Sequence, residues 1–330
     1  MPRPWKLATA AGVAAVALLL TGCAASSAAD EATDTAASGG EWPRTIEHEG
    51  GTTEITAKPE RIVSTSVTLT GTLLAIDAPV VATAATSVSD ITDENGFFSQ
   101  WADVAVDRGV EVLYPNLEFD EEAVIAAAPD LIVVSSLGAD SALAEVDALS
   151  EIAPTIVLDY GADTWQDLAG VLGEATGHEQ EAVDVVADFD AHVAEVADAI
   201  TVPEGTANIV SWNGTENPTG FAKPDGAHAT LLEALGFTVE GAPDEFDTSE
   251  KPRADFAFIA IENTTESLSG ETVFLISADQ STADDLLGTP VLANAPAVAS
   301  GSVYPLGLTS FRIDYYSATD IVELVESDFA

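Results

Sequence analysis

The sequence is poor in residues that cross-link a fold or bind metals. It contains a single cysteine, Cys23, so neither an internal disulfide bond nor a cysteine-based metal cluster can form. Its histidines show no paired spacing, and the sequence therefore predicts no metal site. A hydrophobic core remains to stabilise the fold, and 330 residues with 47% hydrophobic content can build one large or two ordinary domains.

Basic residues are scarce as well. Lysine and arginine together number 10 against 56 aspartates and glutamates, which gives a formal net charge of -46. A surface this acidic repels nucleic acid and anionic membranes, so we expect no nucleic-acid partner. The acidic excess by itself is typical of a solvated, solubilising surface and identifies no ligand.

Catalytic motifs are absent too. The sequence has no Gly-x-Ser-x-Gly nucleophile turn and no glycine-rich phosphate loop with its lysine. We therefore predict a protein that is not an enzyme and carries no cofactor. An exported hydrolase on a two-lobed scaffold is the alternative from another class, and it would need a nucleophile and a base that meet in a cleft.

The N-terminal residues 1–22 have the features of an export signal. Arg3 and Lys6 precede an apolar run over 7–20, which is too short to span a bilayer but suits a secretory signal. The Leu-Thr-Gly-Cys run that ends at Cys23 resembles the lipobox of bacterial lipoproteins. The resemblance implies a lipidated cysteine and an extracytoplasmic protein anchored to the outer face of the cytoplasmic membrane. An ordinary signal followed by an incidental cysteine is the alternative.

Residues 23–41 contain small and acidic residues, without aromatic or branched aliphatic side chains. Such a segment cannot form a core, and we expect a flexible tether. From Trp42 onward, apolar β-forming runs alternate with helical patterns. A short strand or hairpin at 52–55 is followed by strands that the pattern places at 61–64, 79–82, 128–134 and 154–158. This alternation predicts βαβ units, and thus a parallel sheet with helices on both faces.

The second half of the chain repeats this order. Four short segments mirror segments of the first half in sequence, at 208–211, 231–236, 272–277 and 302–306. We therefore expect an α/β fold with two Rossmann-like lobes with parallel-sheet cores, over 42–163 and 201–330, joined by a helical linker over 164–200. Ligands of such sheets bind beyond the carboxyl ends of the strands, so two facing lobes should form a cleft there.

The linker is predicted to contain one long helix. An apolar face recurs at steps of four and three, formed by Ala182, Val186, Phe189, Val193, Val196 and Ile200. Gly177 and Pro203 bound this pattern, so the helix should span about 178–200 and measure roughly 35 Å. Between two similar halves, such a helix predicts a rigid connection.

Several segments resemble the ferric-enterobactin-binding proteins of bacterial siderophore ABC importers, in the iron-siderophore and cobalamin periplasmic-binding-protein family. They are 61–71, 73–79, 138–143, 177–179 and 311–318. The similarity runs from about Trp42 to the C-terminus and is weakest over 213–246. It implies a class III periplasmic-binding-protein fold with one connecting α-helix and little hinge motion, acting as a monomer. It also implies a ferric catecholate siderophore as ligand and a membrane ABC permease as partner. Haem, a cobalamin or a hydroxamate siderophore are the alternative ligands of the same fold.

Ferric catecholate complexes are anionic and flat, and their iron is already saturated, so a carrier needs positive charge and aromatic surface rather than metal ligands. Arg312 is the first candidate for the charge, because it follows the last strand and precedes the last helix. An ion pair with Asp314 is its alternative role. The further candidates are Arg108 and Arg253 for charge, Trp101, Tyr315 and Trp212 for stacking, and the hydroxyls of Ser64, Thr65 and Ser66 at a helix start. Salt bridges, core packing and helix capping are their respective structural alternatives.

Two acidic residues are candidates for contact with the permease. Glu122 lies in the helix before a core strand, where the resemblance implies a glutamate that docks on permease arginines. Glu262 occupies the comparable place in the second lobe. Because acidic residues are abundant here, simple solvation is the alternative for both.

Overall fold

The computed structural model describes residues 40–250, 253 and 255–330. The predicted signal peptide, Cys23 and nearly all of the predicted tether lie outside the described residues. No helix in the described ranges combines the length and the apolar character that crossing a membrane requires.

The strands are β1 Arg44–His48, β2 Gly51–Ile55, β3 Ile62–Ser64, β4 Val80–Thr83, β5 Glu111–Val112, β6 Leu131–Ser135, β7 Thr155–Leu158, β8 Ala207–Ser211, β9 Thr219–Ala222, β10 Phe256–Ile259, β11 Thr272–Leu275 and β12 Val303–Pro305. The helices are α1 Val67–Ala75, α2 Ser99–Asp107, α3 Glu121–Ala127, α4 Val146–Ile152, α5 Trp165–Thr176, α6 Glu179–Ala199, α7 Ala227–Ala234, α8 Ile261–Ser267, α9 Gln280–Gly288, α10 Pro296–Ser300 and α11 Tyr315–Phe329.

The N-terminal lobe is built on a parallel sheet of order β5-β4-β3-β6-β7. Its strands β3 and β6 are buried at every residue, as expected for apolar runs covered by helices on both faces. The β1–β2 hairpin closes the β7 edge, where the backbone N–H of Glu49 donates to the carbonyl of Val157 over 2.9 Å. The predicted parallel sheet and the predicted hairpin are thus confirmed.

The C-terminal lobe repeats this plan in a sheet of order β10-β9-β8-β11-β12. The parallel strands β8, β11 and β12 occupy the places that β3, β6 and β7 hold in the first lobe, which confirms the repeat. The sheet departs from a purely parallel one at β9, which pairs antiparallel with both neighbours. Only residues 212–218 connect β8 to β9, and a parallel crossover needs a dozen or more residues.

Helix α6 is the predicted long connection. It has 21 residues and measures roughly 32 Å at 1.5 Å per residue. Of the six residues on its predicted apolar face, four are buried and two are half-buried: Ala182, Phe189, Val193 and Val196, then Val186 and Ile200. Helix α5 packs against α6 and also against α1 and β1 of the N-terminal lobe, whereas α6 contacts α7 of the C-terminal lobe. Within the linker, α6 is therefore the element that joins the lobes.

Helix α11 makes a second connection between the lobes, which no sequence pattern predicted. It packs against α1 and α2 of the N-terminal lobe and against α6. At its other end, Phe329 lies 5.2 Å from the ring of Phe237 and 5.9 Å from that of Phe274 in the C-terminal lobe. The two lobes are thus held together by two helices rather than by one.

Asp314, the N-cap of α11, is buried against the N-terminal lobe. Its carboxylate accepts hydrogen bonds from Gln100 Nε2 over 3.2 Å and from the backbone N–H of Ser317 over 2.9 Å. Burial nevertheless raises the pKa of Asp314 to about 6. Gly71 on α1 makes room for this carboxylate, because a Cβ there would lie 2.5 Å from Asp314 Oδ2. The start of α11 therefore fits a gap that glycine leaves open.

The Gly71→Ala substitution tests this packing. We expect the added methyl group to overlap Asp314 and to lower the free energy of unfolding by about 1–3 kcal/mol, offset in part by the ~0.5–1 kcal/mol that alanine gains over glycine in a helix. Urea unfolding measures the difference. The matched control is Gly170→Ala on α5, where a Cβ would meet no atom within 4 Å and only the helix gain should appear. Equal stabilities of the two variants would contradict the described packing.

Candidate functional site

A cleft of ≈ 460 Å³ lies between the two lobes. The N-terminal lobe lines it with Thr68 at the start of α1 and with residues 160–164, which follow β7. The C-terminal lobe lines it with Lys223, with residues 225–228 and 311–313, and with Arg253 and Asp255. A second cavity of ≈ 290 Å³ adjoins α5, α6 and α7, and none of the described residues that line it is basic. The larger cleft, which contains the cations, is therefore the candidate site.

Arg312 lies in this cleft, as the sequence predicted. Its guanidinium carbon is 5.0 Å from the ring centre of Tyr160 and 5.5 Å from that of Phe311. Among the residues that the structure describes, its side chain forms no ion pair and no hydrogen bond. Asp314, its alternative ion-pair partner, accepts hydrogen bonds from Gln100 and Ser317 instead. A guanidinium held by aromatic rings keeps its N–H donors free for an anion.

Arg253 also lines the cleft, but its charge is paired. Its Nε and Nη2 donate to both carboxylate oxygens of Asp255, over 2.8 and 2.6 Å. Burial acts to raise the pKa of Asp255, but the hydrogen bonds and charge of Arg253 outweigh it, so that this pKa is lowered. Lys223 donates to the backbone carbonyl of Arg253 over 2.7 Å and lies 3.9 Å from Asp247. Arg312 is therefore the cleft cation whose charge its described neighbours neutralise least.

His228 forms part of the cleft wall and is neutral. Burial lowers its pKa to about 4, and its Nε2 lies 2.7 Å from the carbonyl oxygen of Ser310. Because a carbonyl can only accept, Nε2 carries the proton and donates it. In the described ranges, no group of three or more His, Cys, Asp or Glu side chains is placed to hold a metal ion. His228 is therefore a neutral residue of the cleft wall, and its unprotonated ring nitrogen is Nδ1.

Three aromatic residues predicted to stack on a ligand do not line the cleft. Trp101 is fully buried in the core of the N-terminal lobe. Trp212 is buried in the C-terminal lobe, where its Nε1 donates to Asp285 over 2.7 Å. Tyr315 is half-buried and packs edge-on against Trp165, with 5.6 Å between ring centres. The structure thus places Trp101 and Trp212 in the cores of the two lobes and Tyr315 against α5, and none of the three is among the described residues that line the cleft.

Arg108 and three hydroxyl groups are also engaged away from the ligand space. Arg108 donates to the backbone carbonyl of Leu74 over 2.8 Å and pairs with Asp77 at 2.6 Å, at the end of α1 that is remote from Thr68. The predicted ligand-binding hydroxyls are buried and bond within the N-terminal lobe; they belong to Ser64, Thr65 and Ser66. The structure therefore favours the salt bridge for Arg108 and helix capping for Ser66, the N-cap of α1, whereas Ser64 and Thr65 donate to backbone carbonyls.

Three residues of the cleft that could contact a ligand were missed by the sequence analysis: Tyr160, Phe311 and Lys223. Phe311 directly precedes Arg312, but it was not considered as a stacking residue. Tyr160 follows the predicted strand β7 by two residues, so the rule that ligands bind beyond the carboxyl ends of strands could have identified it. Lys223 follows β9, whose Thr-Gly-Phe-Ala sequence gives no strand pattern. The available signal for Lys223 was its positive charge, since the sequence has 10 basic residues against 56 acidic ones.

Glu122 and Glu262 occupy equivalent positions in the two lobes. Each is exposed, and each is the second residue of a seven-residue helix, α3 or α8. Both helices run from the carboxyl edge of their sheet back to its amino edge and lead into equivalent strands, β6 and β11. One exposed carboxylate therefore lies at the carboxyl edge of each sheet.

The architecture and the cleft define a two-lobed ligand-binding protein. Two α/β lobes of the same plan face each other, and the space between them contains a cation stacked on aromatic rings. Residues 62–307 match the family described as Periplasmic binding protein, and the chain belongs to that family.

Individual relatives cover nearly the whole chain. The chain is 41% identical over 315 residues to the ferric enterobactin-binding periplasmic protein FepB of Escherichia coli O6:H1 (strain CFT073), which covers 94% of this chain and 95% of FepB. Among solved structures, holo-ViuP is 43% identical with a TM-score of 0.83, covering 88% of this chain and 96% of ViuP. The catecholate-siderophore binding protein VctP of Vibrio cholerae, at 18% identity with a TM-score of 0.63 and coverage of 87% and 100%, shows the fold alone.

Proposed function

We propose that this protein binds a ferric catecholate siderophore of the enterobactin type in the interlobe cleft and delivers it to an ABC permease, without catalysing a reaction. The observation that carries the proposal is Arg312, a cation stacked on Tyr160 and Phe311 whose side chain forms no ion pair or hydrogen bond among the described residues. The likeness to FepB, named for ferric enterobactin binding, over 94% of the chain supports it.

The chemistry of the ligand fits this site. A ferric catecholate complex is anionic and presents flat aromatic faces, and its iron has no free coordination position. It is therefore recognised through charge and stacking, and protein metal ligands are not required. The cleft offers guanidinium and ammonium groups together with the rings of Tyr160 and Phe311. We propose that the protein acts as a monomer, because both lobes of one chain line the site.

The alternative functions differ from this proposal in the ligand that is bound or in whether a reaction is catalysed. Haem, a cobalamin or a hydroxamate siderophore would fit the same fold, and no feature of the cleft favours them over an anionic catecholate. An exported hydrolase would need a base that faces a nucleophile in the cleft. The cleft histidine, His228, is instead buried against a backbone carbonyl.

Replacement of Arg312 tests the proposed ligand. We expect Arg312→Gln to weaken binding of ferric enterobactin by about 10- to 100-fold, since hydrogen bonds to a charged group contribute roughly 1.5–3 kcal/mol. Quenching of intrinsic tryptophan fluorescence measures the affinity, with ferrioxamine and haem as comparison ligands. The matched control is Arg108→Gln, which removes a guanidinium outside the cleft and should leave the affinity unchanged. Wild-type affinity in Arg312→Gln, or equal binding of haem, would contradict the proposal.

We further propose that Glu122 and Glu262 dock the two lobes on the permease. Their equivalent places at the carboxyl edges of the two sheets support a contact that spans both lobes. We expect the double variant Glu122→Ala, Glu262→Ala to keep its affinity for ferric enterobactin but to reduce its uptake by roughly tenfold or more, because truncated charges at an interface leave their partners unpaired. Uptake of radiolabelled iron measures this.

The control for docking removes the same two charges elsewhere. Glu151 lies in the last turn of α4 and Glu323 lies within α11, and both are exposed. A double alanine variant at these two positions should transport normally. If the docking variant and this control have the same uptake, the docking assignment is wrong.

We propose that the protein is held at the outer face of the cytoplasmic membrane by lipid on Cys23. The lipobox-like sequence supports this, and so does the relative YfiY of Bacillus subtilis (strain 168), named a probable siderophore-binding lipoprotein and 27% identical over 198 residues, 59% of this chain and 57% of YfiY. We expect Cys23→Ser to move the protein from the membrane fraction to the soluble fraction, whereas Ser27→Ala should not. Immunoblots of the two fractions measure it, and an unchanged membrane fraction for Cys23→Ser would rule out the anchor.

A further inference from the structure

Asp140 is a buried carboxylate beside the cleft to which the proposed function assigns no role. It is 7% exposed and does not line the cleft. Its Oδ2 accepts hydrogen bonds from Ser66 Oγ over 2.6 Å and from the backbone N–H of Thr68 over 3.0 Å, at the positive start of α1. Its Oδ1 accepts from the hydroxyl of Tyr160 over 3.2 Å. One carboxylate thus connects the first turn of α1 with the segment after β7.

The place of the Tyr160 hydroxyl is closely defined. Gly138 has φ of 91°, and a Cβ on it would overlap that hydroxyl and lie 2.8 Å from Asp140 Oδ1. Burial, and after it the negative charge of Asp140, raise the pKa of Tyr160 to about 12. The phenol is therefore protonated at neutral pH and donates its proton to Asp140.

The other end of Tyr160 is the ring that faces Arg312. The ring belongs to the N-terminal lobe, whereas Arg312 comes from the segment after β12, so this contact joins the two walls of the cleft. A carboxylate in the place of the ring would neutralise the guanidinium. The face of an aromatic ring attracts the cation and leaves its N–H donors unused.

We propose that Asp140 is a positioning residue for ligand recognition: it fixes the Tyr160 ring, and this ring holds the Arg312 guanidinium ready for an anionic ligand. The identity of the ligand rests on the proposed function, but the chain of contacts from Asp140 through Tyr160 to Arg312 does not. Asp140 contributes without touching the ligand, because it is buried outside the cleft lining and both of its carboxylate oxygens accept hydrogen bonds from the protein.

The first readout needs no ligand. The Nε–Hε spectrum of an ¹⁵N-arginine-labelled sample contains few signals, since the sequence has six arginines, and the Arg312 signal is assigned by its loss in Arg312→Gln. In the wild type, the ring current of Tyr160 should displace the chemical shift of the Arg312 signal. We expect Tyr160→Leu to abolish the displacement and Asp140→Asn to reduce it. The matched control is Asp130→Asn, a carboxylate that accepts two backbone hydrogen bonds at the far edge of the same lobe, and it should leave the signal in place.

The second readout is the affinity for ferric enterobactin. We expect Asp140→Asn and Tyr160→Phe each to weaken binding by about three- to tenfold, which corresponds to one net hydrogen bond. Both substitutions act on the same contact, because Asp140→Asn leaves an uncharged, weaker acceptor and Tyr160→Phe removes the donor. The double variant should therefore lose no more than the larger single loss. A merely structural role for Asp140 would give independent, multiplying losses.

The outcomes separate this inference from the proposed function. If Asp140→Asn leaves the Arg312 signal unchanged, or if the losses in affinity multiply, the positioning role is wrong whatever the ligand is. If wild type does not bind ferric enterobactin, the proposed ligand is wrong, and the arginine spectrum still decides the positioning role. Should Asp140→Asn fail to fold, Tyr160→Phe tests the same contact through the same spectrum.

Discussion

The packing of the start of α11 into the N-terminal lobe is the contact on which the cleft depends. Three residues of the short segment 311–314 lie at this contact. Phe311 packs edge-on against Phe98 with 5.1 Å between ring centres, Asp314 is buried beside Gly71, and Arg312 lies between them in the cleft. The position of Arg312 is therefore set by Phe311, directly before it, and by Asp314, two residues after it. These two residues anchor a segment of the C-terminal lobe in the N-terminal lobe.

This contact changes the expected mechanics of the molecule. A single helix between two lobes can still bend at its ends. Here two helices, α6 and α11, connect the lobes at separate places. We infer that a cleft held in this way is formed before the ligand arrives, so that little binding energy is spent on ordering it. In our account, release of the ligand then requires an external force on both lobes, and Glu122 and Glu262 lie where a permease could apply it.

The sequence predicted the fold well because the fold is encoded in repeated local patterns. The alternation of strand and helix and the apolar face of α6 depend on neighbouring residues, and they led to the correct sheets and the correct long helix. The exception, β9, has a short sequence without alternation, and its direction is set by the length of the preceding loop.

The site was predicted less well, because residue type and position along a strand do not determine which way a side chain faces. The structure places Arg312 and Arg253, two of the predicted ligand-binding residues, in the lining of the cleft. Trp101 has the chemistry of a stacking residue, but it follows two phenylalanines and packs into the core with them. The role inferred for Asp140 depends on contacts between residues 66, 138 and 160, which are distant in sequence and have no common motif. Such contacts become visible only in three dimensions.

The central claim is that the two lobes form a fixed cleft, and small-angle X-ray scattering of the protein with and without saturating ferric enterobactin tests it most directly. The account predicts scattering curves that superimpose and an unchanged radius of gyration, because α6 and α11 hold the lobes in place. A clear contraction on binding would contradict it and would show that the connection between the lobes works as a hinge.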